Sequence, residues 1–305
     1  MTAPTKRIVL FGCGLWGVNI LRDLLSLGCR VVVVEPDPES AHRALTMGAE
    51  SIHPIAEPLP AFDGAVIATP ASTHVHIIEP LLELGIPIFC EKPLTTDLKT
   101  MRRLANRAEG VLFEMHVWRY HPGVEKLAQV AQEELLGPVE WLKSVRTNWT
   151  SPRKDVDPIW TLAPHDLSIA LEVLGTIPRP VAAMAEQTAG RLTGLVALLA
   201  DERLRLQFEV STRYAEKRRD IRLHCAEGIA VLEHDRAEQI VLRRDRGDGS
   251  FTTEKLPITQ ESPLLRELRT FLSFLDGGPA PRSGVRDGLA VVESMTLLRR
   301  MAGIV

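Results

Sequence analysis

The first 118 residues alternate short apolar runs with stretches of helical periodicity, and few folds accommodate that alternation. RIVLFG (7–12), RVVVVE (30–35), DGAVIATP (63–70), GIPIFCEKP (85–93) and GVLFEMHVW (110–118) are rich in branched and aromatic residues and bounded by turn formers, so each reads as a strand. Between them, Leu15 to Leu27, Pro38 to Met47, Thr73 to Leu84 and Asp97 to Ala108 carry apolar residues at helical spacing. Strands that are apolar throughout need cover on both faces, and intervening helices provide it, so the segment predicts a doubly wound parallel sheet of Rossmann type.

The texture changes near residue 120. One helix, HPGVEKLAQVAQEELLG, leads into strand-like PVEWLKSVRTNW, and a second helix is expected from about His165 to Leu174. LTGLVALLA, RLRLQFEV, RRDIRLHC, GIAVLEHD and QIVLRRD follow as strands with turns and no helices between them, which predicts a largely antiparallel, open-faced sheet. Helices near 262–275 and 286–302 close the chain. At 305 residues the chain exceeds the usual size of one core. The expected division is the doubly wound domain over 1–119 and an α+β domain over 120–305.

The turn after the first strand reads FGCGLWGVN and places Gly12, Gly14 and Gly17 in G-x-G-x-x-G spacing, with Leu15 and Trp16 inside it. Such glycines allow a tight turn, close approach of backbone to a pyrophosphate, and close packing of helix on strand, while the helix N-terminus points free amides at the phosphates. The second strand ends at Glu35, 21 positions past Gly14, where a carboxylate accepts hydrogen bonds from the adenosine ribose. Its charge repels a 2′-phosphate, and PDPES offers no arginine in reach, so NAD is favoured over NADP. Thr69, Pro70 and His74 follow the strand DGAVIATP at the sheet edge where such folds bind cofactor, and Ser72 or Thr73 is placed to cap the next helix. The stripe Trp16, Ile20, Leu24 reads as core.

Composition narrows the partners. A net charge of −3 gives no global attraction for nucleic acid or anionic membranes. No run of about 18 apolar residues could cross a bilayer. The start MTAPTKRIVLFG lacks the pattern of a secretory signal, so a cytoplasmic location is expected. Cys13, Cys29, Cys90 and Cys225 lack zinc-site spacing and read as reduced, buried residues; no metal site is expected.

GCGLWG, VIATPASTH, EKPL and APHDLSIALEVLG together resemble the Gfo/Idh/MocA family of oxidoreductases. WTLAPHDLSI and WRYHPGVEKL are most similar to members acting on sugars or sugar nucleotides in polysaccharide and deoxysugar biosynthesis. The resemblance implies that Lys92 lies beside the nicotinamide and the reacting carbon, with Glu91 next to the cofactor. A lysine there can hydrogen-bond a carbinol or carbonyl oxygen and act as acid or base. His165 matches the family histidine near the reacting oxygen and can relay a proton. Asp166 is expected to cap the helix from 167. The chain departs from the family pattern at Thr161, four residues before His165, where an aspartate is usual; Asp155 and Asp157 lie near it in sequence. Arg119, Tyr120, Trp149, Arg153, Thr161 and Tyr214 are the candidate substrate contacts. The implied reaction moves hydride between NAD and a sugar-like carbon, in a homodimer or homotetramer. A lyase, isomerase or glycosidase that keeps its NAD through a closed hydride cycle is the alternative, and a non-catalytic nucleotide-binding regulator a third reading.

Overall fold

A computed structural model of the chain describes residues 5–54, 59–149 and 155–304. It divides into two compact units, one of Met1–His116 with Ser262–Leu289, the other of Val117–Glu261 with Ala290–Val305.

The first unit holds strands β1 (Arg7–Phe11), β2 (Arg30–Val34), β3 (Ser51–His53), β4 (Gly64–Ile67), β5 (Ile88–Glu91) and β6 (Leu112–Met115). Helices α1 (Gly17–Ser26), α2 (Pro38–Thr46), α3 (Ala71–Glu83) and α4 (Leu98–Arg107) alternate with them. The sheet order is β3-β2-β1-β4-β5-β6, and every pairing is parallel. Ile8, Val9 and Leu10 of β1 and Val31, Val32 and Val33 of β2 have no exposed surface, as a sheet covered on both faces requires. The strand order reverses between β1 and β4, so the turns after these two strands flank a crevice at the carboxyl edge. Asp37 and Asp97 start α2 and α4 by accepting the Ser40 and Thr100 amides at 2.8 and 2.7 Å. The expected Ser72 or Thr73 cap is not used. α3 begins at Ala71 behind Pro70, and the Thr73 hydroxyl donates back to the Pro70 carbonyl at 2.8 Å. The short strand β3 escaped the sequence reading because SIH has no apolar run.

The first unit also takes the returning segment 262–289, against the expectation of two contiguous domains. Helix α7 (Pro263–Leu275) buries Leu268 and Phe271 in this unit. Phe271 stacks on Phe89 with ring centroids 5.1 Å apart, and Phe274 meets Phe113 edge-on at 5.0 Å. Strand β4 admits the helix because it starts with glycine: a Cβ on Gly64 would lie 2.9 Å from Leu275. Amphipathicity tells that a helix needs a partner, and sequence position does not say which. Helix α8 (Val285–Met301) is divided between the two units at Leu289.

The second unit contains α5 (Pro122–Gln132), β7 (Val139–Thr147), α6 (Pro158–Leu174), and strands β8 (Pro180–Thr188), β9 (Arg191–Ala200), β10 (Arg205–Ser211), β11 (Arg218–Cys225), β12 (Gly228–Leu232), β13 (Gln239–Asp245) and β14 (Phe251–Pro257). Their order is β14-β13-β12-β11-β7-β10-β9-β8, antiparallel except for β7 beside β10. In β9, Leu195, Ala197 and Leu199 are buried while Val196 and Leu198 are exposed, so one face is covered and the other open. Edge strands β8 and β14 were not anticipated: PVAAMAEQT and FTTEKLP are too small or too polar to read as strands. Helix α6 starts seven residues before the expected His165. Asp157 caps it by accepting the Ile159 and Trp160 amides, each at 3.0 Å, with Pro158 in the first turn. Among the described residues no helix is long and apolar enough to cross a membrane.

Phe271→Ala should remove about 3–5 kcal/mol of stability in urea denaturation. Phe251→Ala, on exposed β14, should change it by no more than about 0.5 kcal/mol. Equal losses would contradict the docking of α7 described above.

Candidate cofactor and catalytic site

The three glycines after β1 do separate physical work. Gly12 has φ +86°, and a Cβ there would lie 2.9 Å from Thr69 and 3.0 Å from the Ala68 backbone. On Gly17 a Cβ would lie 2.2 Å from the Gly12 carbonyl oxygen, so only glycine lets α1 rest on the turn. A Cβ on Gly14 would meet no protein atom within 4 Å. The space beside Gly14 is thus where a pyrophosphate can approach backbone, at the first turn of α1.

Glu35 closes this site from β2. Its two carboxylate oxygens accept the Cys13 amide at 2.7 Å and the Asp37 amide at 3.0 Å, and each oxygen keeps acceptor capacity for a ribose hydroxyl. The expectation that no arginine reaches this corner is not met. Arg43 of α2 donates to the Cys13 carbonyl at 3.3 Å and to the Ser40 hydroxyl at 2.9 Å. Helical geometry carries it back over residues that separate it in sequence. Burial pushes the Cys13 thiol pKa up, and the Glu35 charge adds to the rise, which leaves an inert thiol.

Leu15 and Trp16 stand outward, 88% and 43% exposed, whereas Ile20 and Leu24 are fully buried. Trp16 therefore does not belong to the core stripe. Its indole N–H donates to Glu91 and so ties the glycine turn to the end of β5. Lys92 follows, 6% exposed, with a cis peptide to Pro93. His74 is fully buried, with Nδ1 2.9 Å from the Pro93 carbonyl and Nε2 2.9 Å from the Thr69 carbonyl. Its ring thus braces the two loops from behind instead of presenting a nitrogen to a cofactor. The Thr69 and Thr73 hydroxyl oxygens lie 2.7 Å apart, within hydrogen-bond distance.

The sequence reading missed Glu114. It is 1% exposed, accepts the Leu94 amide at 3.2 Å and lies 3.4 Å from His116, so it holds the backbone directly after Lys92-Pro93. An acid in the middle of the apolar strand GVLFEMHVW was the available signal, since a core carboxylate needs a partner.

In the second unit His165 lies within α6, one turn after Thr161, so the two share a helix face. The Thr161 hydroxyl donates to the Asp157 carbonyl at 3.1 Å. Asp157 caps the helix and pairs with Arg299 at 2.5 Å, and so does not replace the missing family aspartate. Asp166 is not a cap. It is 1% exposed and pairs with Arg146, itself 2% exposed, at 2.8 Å; the Arg146 guanidinium lies 4.3 Å from the Trp118 ring centroid. Burial and the Arg146 charge bring the pKa of nearby Arg219 down to about 10.

The expected substrate contacts separate. Tyr120 is fully buried and part of the core, and Arg119 pairs with Glu172 of α6 at 3.0 Å. Trp149 is 56% exposed with the Arg213 guanidinium 4.6 Å from its ring centroid. Tyr214 donates to Glu209, which raises the phenol pKa. Arg153 lies outside the described residues.

Residues 6–113 match a family model described as an oxidoreductase family with an NAD-binding Rossmann fold. The model is that of the Gfo/Idh/MocA oxidoreductases, and the match covers about a third of the chain. UDP-N-acetylglucosamine 3-dehydrogenase of Acidithiobacillus ferrooxidans is 32% identical to this chain over 154 residues, 48% of each protein. Inositol 2-dehydrogenase 4 of Saccharopolyspora erythraea is 37% identical over 112 residues, 34% of this chain and 33% of that protein. These matches span about half or less of the curated relatives. In fold, the solved UDP-N-acetylglucosamine 3-dehydrogenase from A. ferrooxidans gives a TM-score of 0.83 at 20% identity over 98% of both chains. An oxidoreductase from Agrobacterium radiobacter, crystallised with NAD+, L-tartaric acid and magnesium, gives 0.85 at 17% identity over 98% of this chain and 96% of that one. The glycine cradle and Glu35 fit NAD: a free backbone surface at Gly14 for the pyrophosphate, a carboxylate at the ribose end.

Gly14→Ala should leave the thermal melt unchanged and weaken NAD binding by about tenfold or more, because the methyl enters empty space that the pyrophosphate needs. Gly17→Ala should instead lower the melting temperature, because α1 must lift off the turn. Calorimetric titration beside thermal melts separates the two; equal behaviour of both variants would contradict the assignment.

Proposed function

We propose that the protein is an NAD-dependent dehydrogenase or ketoreductase acting on a CH–OH or keto carbon of a sugar or sugar-nucleotide-like substrate. The observation that carries this reading is the hydrogen bond from Trp16 in the glycine turn to Glu91, the residue before buried Lys92. It holds the lysine turn and the dinucleotide turn together at the carboxyl edge of one sheet. The curated relatives support the substrate class, since UDP-N-acetylglucosamine and inositol are both hydroxylated rings. We place the reaction among those that modify sugars for polysaccharides or deoxysugars.

Bound NAD supplies the two-electron hydride acceptor or donor. In the oxidative direction the carbinol oxygen must lose its proton as the carbon loses hydride, and the Lys92 amine takes that proton. In the reductive direction the ammonium gives it back and stabilises charge on the oxygen. The Trp16–Glu91 bond and the Glu114–Leu94 bond hold the backbone on both sides of Lys92, which limits the positions its amine can sample. His165 serves as proton relay or orienting group. Thr161 offers a neutral wall beside it where related chains carry a charge.

Lys92→Ala should keep NAD affinity within about twofold while turnover falls on the order of 100-fold or more. NADH formation with UDP-N-acetylglucosamine, inositol and related polyols is the assay. Near-normal turnover in the variant would remove Lys92 from the chemistry. Substrate conversion without release of free NADH would favour the closed hydride cycle.

We further propose that the open face of the eight-stranded sheet receives a second copy of the chain. Met184 pairs with Val196 and Ala182 with Leu198 across β8 and β9, and Met184, Val196 and Leu198 are 70%, 38% and 39% exposed. Register also places Glu209 beside Val145 and Asp220 on that face, with Lys143 and Arg222 in the next row, so a two-fold copy can set opposite charges against each other. Light scattering should give a multiple of 33.8 kDa, reduced by Met184→Glu. A monomer in the unaltered protein would reject the interface.

A further inference from the structure

The arginines of the first unit are not alike. Arg7 and Arg30 pair with Glu50, Arg22 with Asp23, Arg103 with Glu79, Arg107 with Glu83 and Arg286 with Glu109. Arg43 is half-buried and makes no hydrogen bond or ion pair to a carboxylate among the described residues, although Asp37 at the start of the same helix is near enough to feel its charge. Both of its hydrogen bonds leave from one terminal nitrogen, to the Cys13 carbonyl at 3.3 Å and the Ser40 hydroxyl at 2.9 Å. The other terminal nitrogen and Nε make no hydrogen bond among the described residues. A half-buried guanidinium with unused N–H donors offers a site for an anion, because arginine binds phosphate through paired N–H donors.

Its position says which anion. Cys13 lies between Gly12 and Gly14, and its amide is held by Glu35, the residue at the ribose end of the cofactor cradle. Arg43 holds the carbonyl of the same residue. Both charges lie close to Cys13: besides burial, the Glu35 carboxylate raises its thiol pKa and the Arg43 guanidinium lowers it. A carboxylate here disfavours a 2′-phosphate, and a guanidinium here accommodates one. Glu35 also gives part of its charge to two backbone amides, which weakens the repulsion.

We propose that Arg43 is a specificity-determining residue: it supplies a phosphate clamp at the ribose 2′ position, so that the Glu35–Arg43 pair, and not Glu35 alone, sets the choice between NAD and NADP. The inference rests on the reading of the glycine turn as a dinucleotide site. The unaltered protein then binds NADP measurably, and NAD more tightly. The cofactor preference is a balance of two charges.

The test is calorimetric titration of NAD and NADP into the unaltered protein, Arg43→Ala, Arg43→Lys, Glu35→Gln and the Glu35→Gln/Arg43→Ala double variant, with a thermal melt of each. In Arg43→Ala the NADP dissociation constant should rise about tenfold or more, with that for NAD changed by less than about threefold. Arg43→Lys should recover part of the NADP affinity by retaining the charge. Glu35→Gln should tighten NADP about tenfold, and that gain should vanish in the double variant. Equal weakening of both dinucleotides in Arg43→Ala would make Arg43 a brace for the turn and overturn the proposal. So would NADP binding indifferent to Arg43. If the unaltered protein bound neither dinucleotide, the cofactor reading would fall with it; binding of NAD alone would sink only the clamp.

Discussion

The contact between α1 and the turn after β1 is the constraint on which the site depends. Gly17 would carry a Cβ only 2.2 Å from the Gly12 carbonyl, so the helix can begin there only without a side chain. The close seating brings the first turn of α1 to the carboxyl edge of the sheet. The Val18 and Asn19 amides of that turn bond the Gly14 and Trp16 carbonyls at 3.1 and 2.9 Å, and the open space beside Gly14 is what the turn offers a pyrophosphate. The same packing aims Trp16 away from the core stripe that Ile20 and Leu24 form, and toward Glu91. A methyl group in the wrong place would undo both consequences.

From that edge a chain of polar contacts runs behind the lysine turn. Trp16 holds Glu91, His74 spans the Thr69 and Pro93 carbonyls, and Glu114 takes the Leu94 amide. His74 and Glu114 are both buried; His74 has its two ring nitrogens against carbonyls, whereas Glu114 accepts the Leu94 amide with one carboxylate oxygen and leaves the other without a hydrogen bond among the described residues. They therefore specify one arrangement of the loops more than they add to the free energy of folding. These contacts hold the backbone on both sides of Lys92, as the role proposed for it requires. A flexible four-carbon side chain becomes useful in catalysis when its backbone has a single allowed setting.

In the second unit the comparable anchor is the Arg146–Asp166 pair, both members nearly without solvent contact. Desolvating two charges is unfavourable, and the pair repays this only through good geometry and further contacts. The Trp118 ring supplies one such contact to Arg146. Asp166 sits next to His165, so the pair holds the helix segment on which that histidine is carried. Burial, together with the nearby Arg146 charge, brings the pKa of Arg219 down to about 10.

The parallel sheet, the glycine turn and Glu35 were legible in the sequence because they rest on local periodicity and on short spacings, and EKPL and APHDL because they resemble a known family. Where contacts join residues far apart in the chain, the sequence was silent or misleading. Helix α7 reads as an amphipathic helix, but only packing assigned it to Phe89 and Phe113, more than 150 residues earlier. Trp16 fits a helical stripe on paper, yet the seating of α1 leaves it outside the core. Asp166 looked like a cap because the helix start was misplaced; Asp157, with Pro158 behind it, takes the free amides. Arg43 was passed over because eight positions separate it from Glu35, and two turns of α2 bring it back to the glycine turn. Local rules see which groups a segment offers. The tertiary structure decides which groups meet, because burial and close approach are properties of pairs.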